Sequence, residues 1–437
     1  MLGGHNGENQ TVDVTGIGFG PSNLAFAVAV EEHNQTAPPG QAVTARFFER
    51  QPAFGWHRGM LIEGASMQVS FLKDLVTMRN PVSSYGYLSY LHSRGRLAHF
   101  INAKSFFPLR VEFHDYLEWV AEQCAHLVDY GCEVLDIEPV GGPGGTDRLD
   151  VVVRRADGRT LRQRTRNVVI ATGIEPVLPE GLPDDDRIWH SSRLLGEIGR
   201  LRRRPSAFVV LGAGQSAAEV VAHLHSVFPD AHVHAVFSRY GYSAADDSAY
   251  TNRIFDPEAV DHHFGSPPQL KEAFLRYHGN TNYSVVDVDL IDDLYRRGYL
   301  EMVTGRERLH VRNATRLHCV SPGPDALAVD LEFTPTGRRE TVAADVVVCA
   351  TGYRPCDPLG LLGSTASRCK QDEAGRLEVA RNYRVSGEET LHCGIYVQGG
   401  ATEYSHGITS SLLSTTAVRA GEILSSIVAQ RDADAAA

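Results

Sequence analysis

The chain has 437 residues and a formal net charge of -11, long enough for two or three domains with buried cores. That acidic balance argues against a nucleic-acid partner, since phosphate binding needs a basic surface, and no run reaches the ~18 apolar residues of a membrane span. The start, MLGGHNGENQ, lacks the basic and apolar regions of a secretory signal, so a cytoplasmic protein with flexible termini at 1–10 and 431–437 is expected.

In chain order, Thr11 to Val14 begin an apolar strand that enters a turn containing Gly16, Gly18, Gly20 and Pro21. A helix-compatible stretch, Asn23 to Glu32, follows, and Ala45 to Glu49 read as a second strand ending in an acid. This is the opening β-turn-α-β of a dinucleotide-binding unit. Glycines in such a turn let backbone N–H groups approach a pyrophosphate at the helix start, and a terminal acid can hold the ribose hydroxyls. Two features depart from the usual pattern. Pro21 takes the third turn position, and Glu49 stands farther from the turn than the usual ~20 residues, the loop 35–41 absorbing the excess.

Residues Gly141 to Thr146 read as a hairpin loop between β-like runs at 134–137 and 149–153. A strand-plus-turn, Val168 to Gly173, ends in Ala171-Thr172-Gly173, and Val346 to Tyr353 repeats the pattern with Ala350-Thr351-Gly352. Between them Phe208 to Leu211 lead into Gly212-Ala213-Gly214-Gln215-Ser216-Ala217, then a helix, then a strand at His232 to Phe237. Gly212, Gly214 and Ala217 fit the turn variant with alanine in third place. The strand ends in Ser238-Arg239 rather than an acid. An acid would repel a 2′-phosphate that Ser and Arg can bind, so the first site is expected to take FAD and the second NADPH.

The seven cysteines include no C-x-x-C pair, which fits reduced thiols and contradicts a disulfide reductase. An F-x-G-x-x-x-H motif, carried by Baeyer–Villiger and flavin-containing monooxygenases, is also absent.

Over roughly Thr11 to Ile427 the chain resembles the flavin-dependent N-hydroxylating monooxygenases, the ornithine and lysine N-hydroxylases of siderophore pathways. The resemblance rests on GIGFGPSNLA, FFERQPAFGWHRGM, MQVSFLKDLVTMRNP, FPLRVEFHDYLEW, DDSAYTNRIFDP, NTNYSVVD and HGITSSLLS. The block Met67 to Pro81 is the most specific, and looks more like the ornithine than the lysine branch and more like actinobacterial than fungal members.

The resemblance implies that NADPH reduces FAD, that O₂ then gives a C4a-hydroperoxyflavin, and that oxygen passes to the N5 amine of L-ornithine. Lysine and decarboxylated diamines are the alternative substrates. It also implies roles for particular residues. Lys73 holds the substrate carboxylate, with Asn252 and Asn282 on its α-amino and carboxylate groups. Met67 and Gln68 lie at the flavin ring, with Gln68 reaching the substrate as well. Trp56, His57 and Arg110 contact FAD, Gln215 and Ser216 contact NADPH, and Leu413 faces the isoalloxazine. Ser411 or Ser414 lies near the reacting amine, and the assembly is a homo-oligomer, by family a tetramer.

The expected fold is α/β, with two Rossmann-like dinucleotide-binding domains and a smaller, mostly helical substrate segment. The FAD domain is expected at 11–198 and 345–430, the NADPH domain at 199–238 and 302–344, and the substrate segment at 239–301.

Overall fold

The computed structural model describes residues 10–142 and 145–436. A buried strand, Val12–Ile17, feeds the first glycine turn and then the helix Pro21–Thr36, which buries every residue from Asn23 to Val30. Gly16 is required by packing, because a Cβ there would stand 2.1 Å from the Phe47 ring. Gly18 is required by conformation, with φ +80°.

The first sheet runs in the order Val128–Tyr130, Ala45–Glu49, Val12–Ile17, Thr160–Ile170, Gly145–Arg155, Cys132–Gly142, with Gly394–Val397 also paired to Thr160–Ile170. Thr160–Ile170 does two jobs. Its first half pairs antiparallel with Gly145–Arg155, and its second half joins the parallel sheet beside Val12–Ile17. The expected hairpin at Gly141 to Thr146 thus joins two paired strands, although residues 143 and 144 lie outside those described.

The second sheet is wholly parallel: Leu309–Arg312, His232–Val236, Ala207–Leu211, Val346–Cys349, Ile188–His190. Its near-continuous burial matches a parallel sheet covered on both faces. A separate antiparallel sheet, Thr315–Pro322, Leu327–Phe333 and Arg338–Ala344, packs beside it. Between Arg239 and Glu301 the chain is mostly helical, with helices Pro257–Gly265, Pro268–His278 and Val288–Thr304.

Two expected boundaries move. Ile188–His190 and Val346–Cys349 belong to the second sheet, so the crossings lie at the two Ala-Thr-Gly turns rather than near residues 199 and 345. Gly173 and Gly352 there have φ of 75° and 85°, and the strands beyond them, Ile174–Pro176 and Tyr353–Pro355, pair antiparallel as a two-stranded connection. The tail also differs from expectation. The helix Thr416–Ala436 continues through 431–436, as its alanines favour, while residues 1–9 and 437 lie outside those described. No helix among the described residues is long and apolar enough to cross a membrane.

Candidate active site

A cleft of about 1460 Å³ opens at the carboxyl ends of the parallel strands of both sheets. Gly18, Gly20, Pro21, Glu49, Trp56, His57, Met67, Gln68 and Arg110 line it from the first half of the chain. Lys73, Gln215, Ser216, Asn252, Asn282, Ser411, Leu413 and Ser414 complete the lining. Most residues singled out from sequence therefore share one cavity. Gly16, Gly212, Gly214, Ala217, Ser238 and Arg239 are not among its lining residues.

The first glycine turn leaves room for a ligand. A Cβ on Gly20 would meet nothing within 4 Å, and the helix behind it starts without a side-chain cap. Such a start offers free N–H groups and a positive dipole end to an anion. Glu49 is buried at 7% exposure, and its carboxylate accepts N–H from Phe19 at 2.7 Å and from Gln51 at 2.9 Å. These bonds hold the acid at the cleft wall and leave it lone pairs for hydroxyl donors.

At the second turn, Gly212 has φ +139° and Gly214 packs against Ser284, to which a Cβ would stand 3.3 Å from Cα. Arg239 is exposed and donates from Nη1 to the Ser284 carbonyl at 2.7 Å, and Ser238 beside it is exposed too. The loop carrying Asn282 is thereby fastened over the second turn.

Lys73 is half-buried, and burial lowers its pKa against the opposing pull of Asp256. Its ammonium lies 5.6 Å from the Phe255 ring centre, and no carboxylate lies within 4.0 Å among the described residues. A cation so placed is ready for an anionic ligand. Asn252 is exposed and donates to the Asp247 carbonyl at 2.7 Å. Met67 is 6% exposed and packs into the first core. Ser411 is exposed, with Oγ 3.3 Å from the Tyr283 hydroxyl, while Ser414 is buried. His57 adopts φ 51° and stands exposed on the wall of the cleft.

Arg110, expected at FAD, lines the cleft and also carries an ion pair. Its guanidinium forms a bidentate pair with Glu219, at 2.7 and 2.6 Å, on the helix of the second unit. Gln215 donates to Glu219 at 3.0 Å and accepts the Asp287 N–H at 2.9 Å, and Gln68 donates to the Asp287 carboxylate at 2.5 Å. A continuous polar chain thus ties Gln68 to Gln215. Burial raises the Asp287 pKa, with the Gln68 hydrogen bond opposing. Sequence reading missed Glu219 and Asp287, whose partners lie 109 and 219 residues away. It also missed Glu403, which accepts from the Tyr283 hydroxyl at 2.5 Å.

With this geometry in view, comparison with known proteins decides the family. A family model described as L-lysine 6-monooxygenase/L-ornithine 5-monooxygenase matches residues 10–355. The chain belongs to this family of monooxygenases. It is 40% identical to an L-ornithine N(5)-monooxygenase of Burkholderia cepacia over 409 residues, 92% of this chain and 91% of that protein. The fold matches an ornithine N-hydroxylase of Kutzneria sp. 744, solved with reduced FAD, NADP⁺ and L-ornithine, at TM-score 0.92 and 48% identity, covering 97% of this chain and all of that one. An ornithine hydroxylase of Pseudomonas aeruginosa matches at TM-score 0.90 and 36% identity, covering 97% of this chain and 100% of that one.

Proposed function

We propose that this monooxygenase hydroxylates the side-chain amine of L-ornithine at N5, using FAD and NADPH, for the biosynthesis of a siderophore or peptide natural product. One observation supports the reading: Lys73, Asn252 and Asn282 line the same cleft as Met67 and Gln68, the first glycine turn, and Gln215 and Ser216 of the second unit. The Kutzneria relative, solved with reduced FAD, NADP⁺ and L-ornithine, supports a cleft that takes all three.

Gly18, Gly20, Pro21 and Glu49 would hold FAD, with Trp56, His57, Met67 and Leu413 beside it. Gly212, Gly214, Gln215, Ser216, Ala217, Ser238 and Arg239 would hold NADPH. Bound FAD supplies what side chains lack, acceptance of a hydride and activation of O₂. Lys73 pairs with the substrate carboxylate, and the two asparagines fix its α-substituents without adding charge. Ser411 or Ser414 accepts or donates at the far amine. Buried Met67 and the fastened 281–287 loop restrict water at the reacting end. A homo-oligomer, tetrameric by the same resemblance, accompanies this reading and is tested by the solution mass.

Substrate choice is tested by kcat/KM on L-ornithine, L-lysine and the decarboxylated diamines. Ornithine should lead lysine by about 10- to 200-fold, the range for one methylene. Equal values for a diamine without a carboxylate would refute Lys73 as a carboxylate anchor.

Cofactor choice gives a second expectation. Arg239→Ala should lower kcat/KM for NADPH by about tenfold or more and leave NADH nearly unchanged, as expected when a charge-assisted contact to a 2′-phosphate is lost. A parallel fall for both cofactors would return Arg239 to its bond with Ser284.

The pH profile gives a third. The reacting amine must be neutral, and free alkylamines have pKa ~10.4, so rate rises with pH. Lys73 must be charged to pair with the carboxylate. Because burial lowers its pKa, that pairing is complete at lower pH and is lost as pH rises through the lowered value. The profile of kcat/KM should therefore fall on its alkaline side, and the fall should vanish in Lys73→Ala. An unchanged alkaline limb in that variant would assign the fall to another group.

A further inference from the structure

Beneath residues that line the cleft lies a guanidinium with no counter-ion among the described residues. Arg419 is 1% exposed, and all its hydrogen bonds go to neutral acceptors. Nε donates to Gln398 Oε1 at 3.3 Å, and Nη1 to the Ser410 carbonyl at 3.0 Å. Nη2 donates to Thr416 Oγ1 at 3.3 Å and Ser22 Oγ at 3.4 Å. No carboxylate lies within 4.0 Å of it among the described residues. Glu422, which acts on it from farther away, is held bidentately by Arg381 at 2.9 and 3.0 Å. The Tyr383 ring centre, 6.0 Å from the guanidinium carbon, is its one aromatic neighbour among the described residues. A buried charge without a partner is unfavourable, and buried charges are ordinarily paired.

The surroundings indicate the ligand. Gln398 Nε2 donates to Asn23 Oδ1 at 2.9 Å, and Asn23 Nδ2 donates to the Gly18 carbonyl at 2.7 Å. Arg419 thus supports the first glycine turn through two amides. Ser22, Ser410 and Thr416, its other partners, all line the cleft. Ser410 Oγ, in a residue 2% exposed, has no hydrogen-bond partner among the described residues, and neither has the equally buried Thr415 Oγ1. Ser22 sits in the first turn of the uncapped helix Pro21–Thr36, beside the open space at Gly20.

We propose that Arg419 is the buried counter-charge to the pyrophosphate of FAD, acting from beneath the cleft through Ser22 and the helix start. It is a positioning residue, since it does not line the cavity. The proposal rests on the FAD reading of the first turn. A wild-type chain that binds no FAD would remove that reading, whereas FAD binding that ignores Arg419 would remove this proposal alone.

The test compares full-length wild type with Arg419→Met, Arg419→Lys and Arg419→Gln. FAD binding is read by quenching of flavin fluorescence, and ADP, which keeps the pyrophosphate without the flavin ring, by competition. Thermal midpoints are taken with and without saturating FAD. Arg419→Met should raise the Kd of FAD and of ADP by the same factor, about tenfold or more, and should lower the midpoint more with FAD than without. Arg419→Lys should recover most of both effects. Arg419→Gln keeps hydrogen bonding without charge and should behave like the methionine variant, and it serves if that variant does not fold. An unchanged FAD Kd with equal thermal loss in both states would make Arg419 structural. Weakening of FAD but not ADP would place the charge under the ring instead. A lysine variant as weak as methionine would assign the effect to the fork of donors. Each of these three results overturns the proposal.

Discussion

Replacing Lys73 by alanine raises the KM for L-ornithine by roughly 100-fold, while flavin reduction by NADPH changes by less than about threefold. The size follows from where the charge sits. Lys73 is half-buried beside Phe255, without a carboxylate of its own within 4.0 Å among the described residues. A carboxylate entering that site exchanges water for this one cation, and without it meets Phe255 and neutral amides instead. Charge-assisted contacts of this kind are worth about 1.5–3 kcal/mol each, more when desolvated. The selectivity follows from separation of tasks. In the proposed assignment the glycine turns and Gln215 hold the nicotinamide nucleotide, and Lys73 makes no hydrogen bond to them among the described residues. Steady-state KM and stopped-flow flavin reduction, measured on the same preparation, separate the two. A comparable loss in both would make Lys73 a structural residue.

Glu219→Gln lowers stability by about 3–5 kcal/mol, the cost of leaving one member of a buried pair uncompensated. The side chains of Arg110 and Glu219 are 12% and 7% exposed and meet in bidentate geometry, so little water can replace the lost charge. The effect extends past stability. Gln215 donates to Glu219 and is bound to Asp287, which in turn holds Gln68. Loosening Glu219 therefore frees both glutamines at the cleft, and the KM for NADPH should rise as well. The double variant Arg110→Met/Glu219→Leu removes both charges and should recover part of the stability lost by the single change. Chemical denaturation of the three proteins reads this directly. A double variant no more stable than Glu219→Gln would show that the pair contributes by shape rather than by charge.

Much of the molecule was legible where the determining residues are neighbours in sequence. The first strand, glycine turn and Ala45–Glu49 were read correctly because turn chemistry and alternation are local signals. The two Ala-Thr-Gly turns indicate crossings, yet Val346–Cys349 joins the second sheet rather than the first. A run of buried β-branched residues looks alike in either sheet, and only tertiary pairing decides. The tail RDADAAA looked unstructured because nothing local shows the helix Thr416–Ala436 that it extends. Lys73 and the two asparagines were reached through resemblance to a family rather than through their own spacing. The ion pair of Arg110 has no local signal, because its partner, Glu219, comes 109 residues later. Arg419 carries no local signal at all, since an arginine in an amphipathic helix normally faces water.

The central claim is that NADPH oxidation in this cleft is spent on an amine. Purified protein with FAD, NADPH, O₂ and L-ornithine should form N5-hydroxyornithine in near-stoichiometric ratio to NADPH consumed, with little peroxide released. NADPH consumption that yields only hydrogen peroxide, with ornithine, lysine and every diamine alike, would contradict the account.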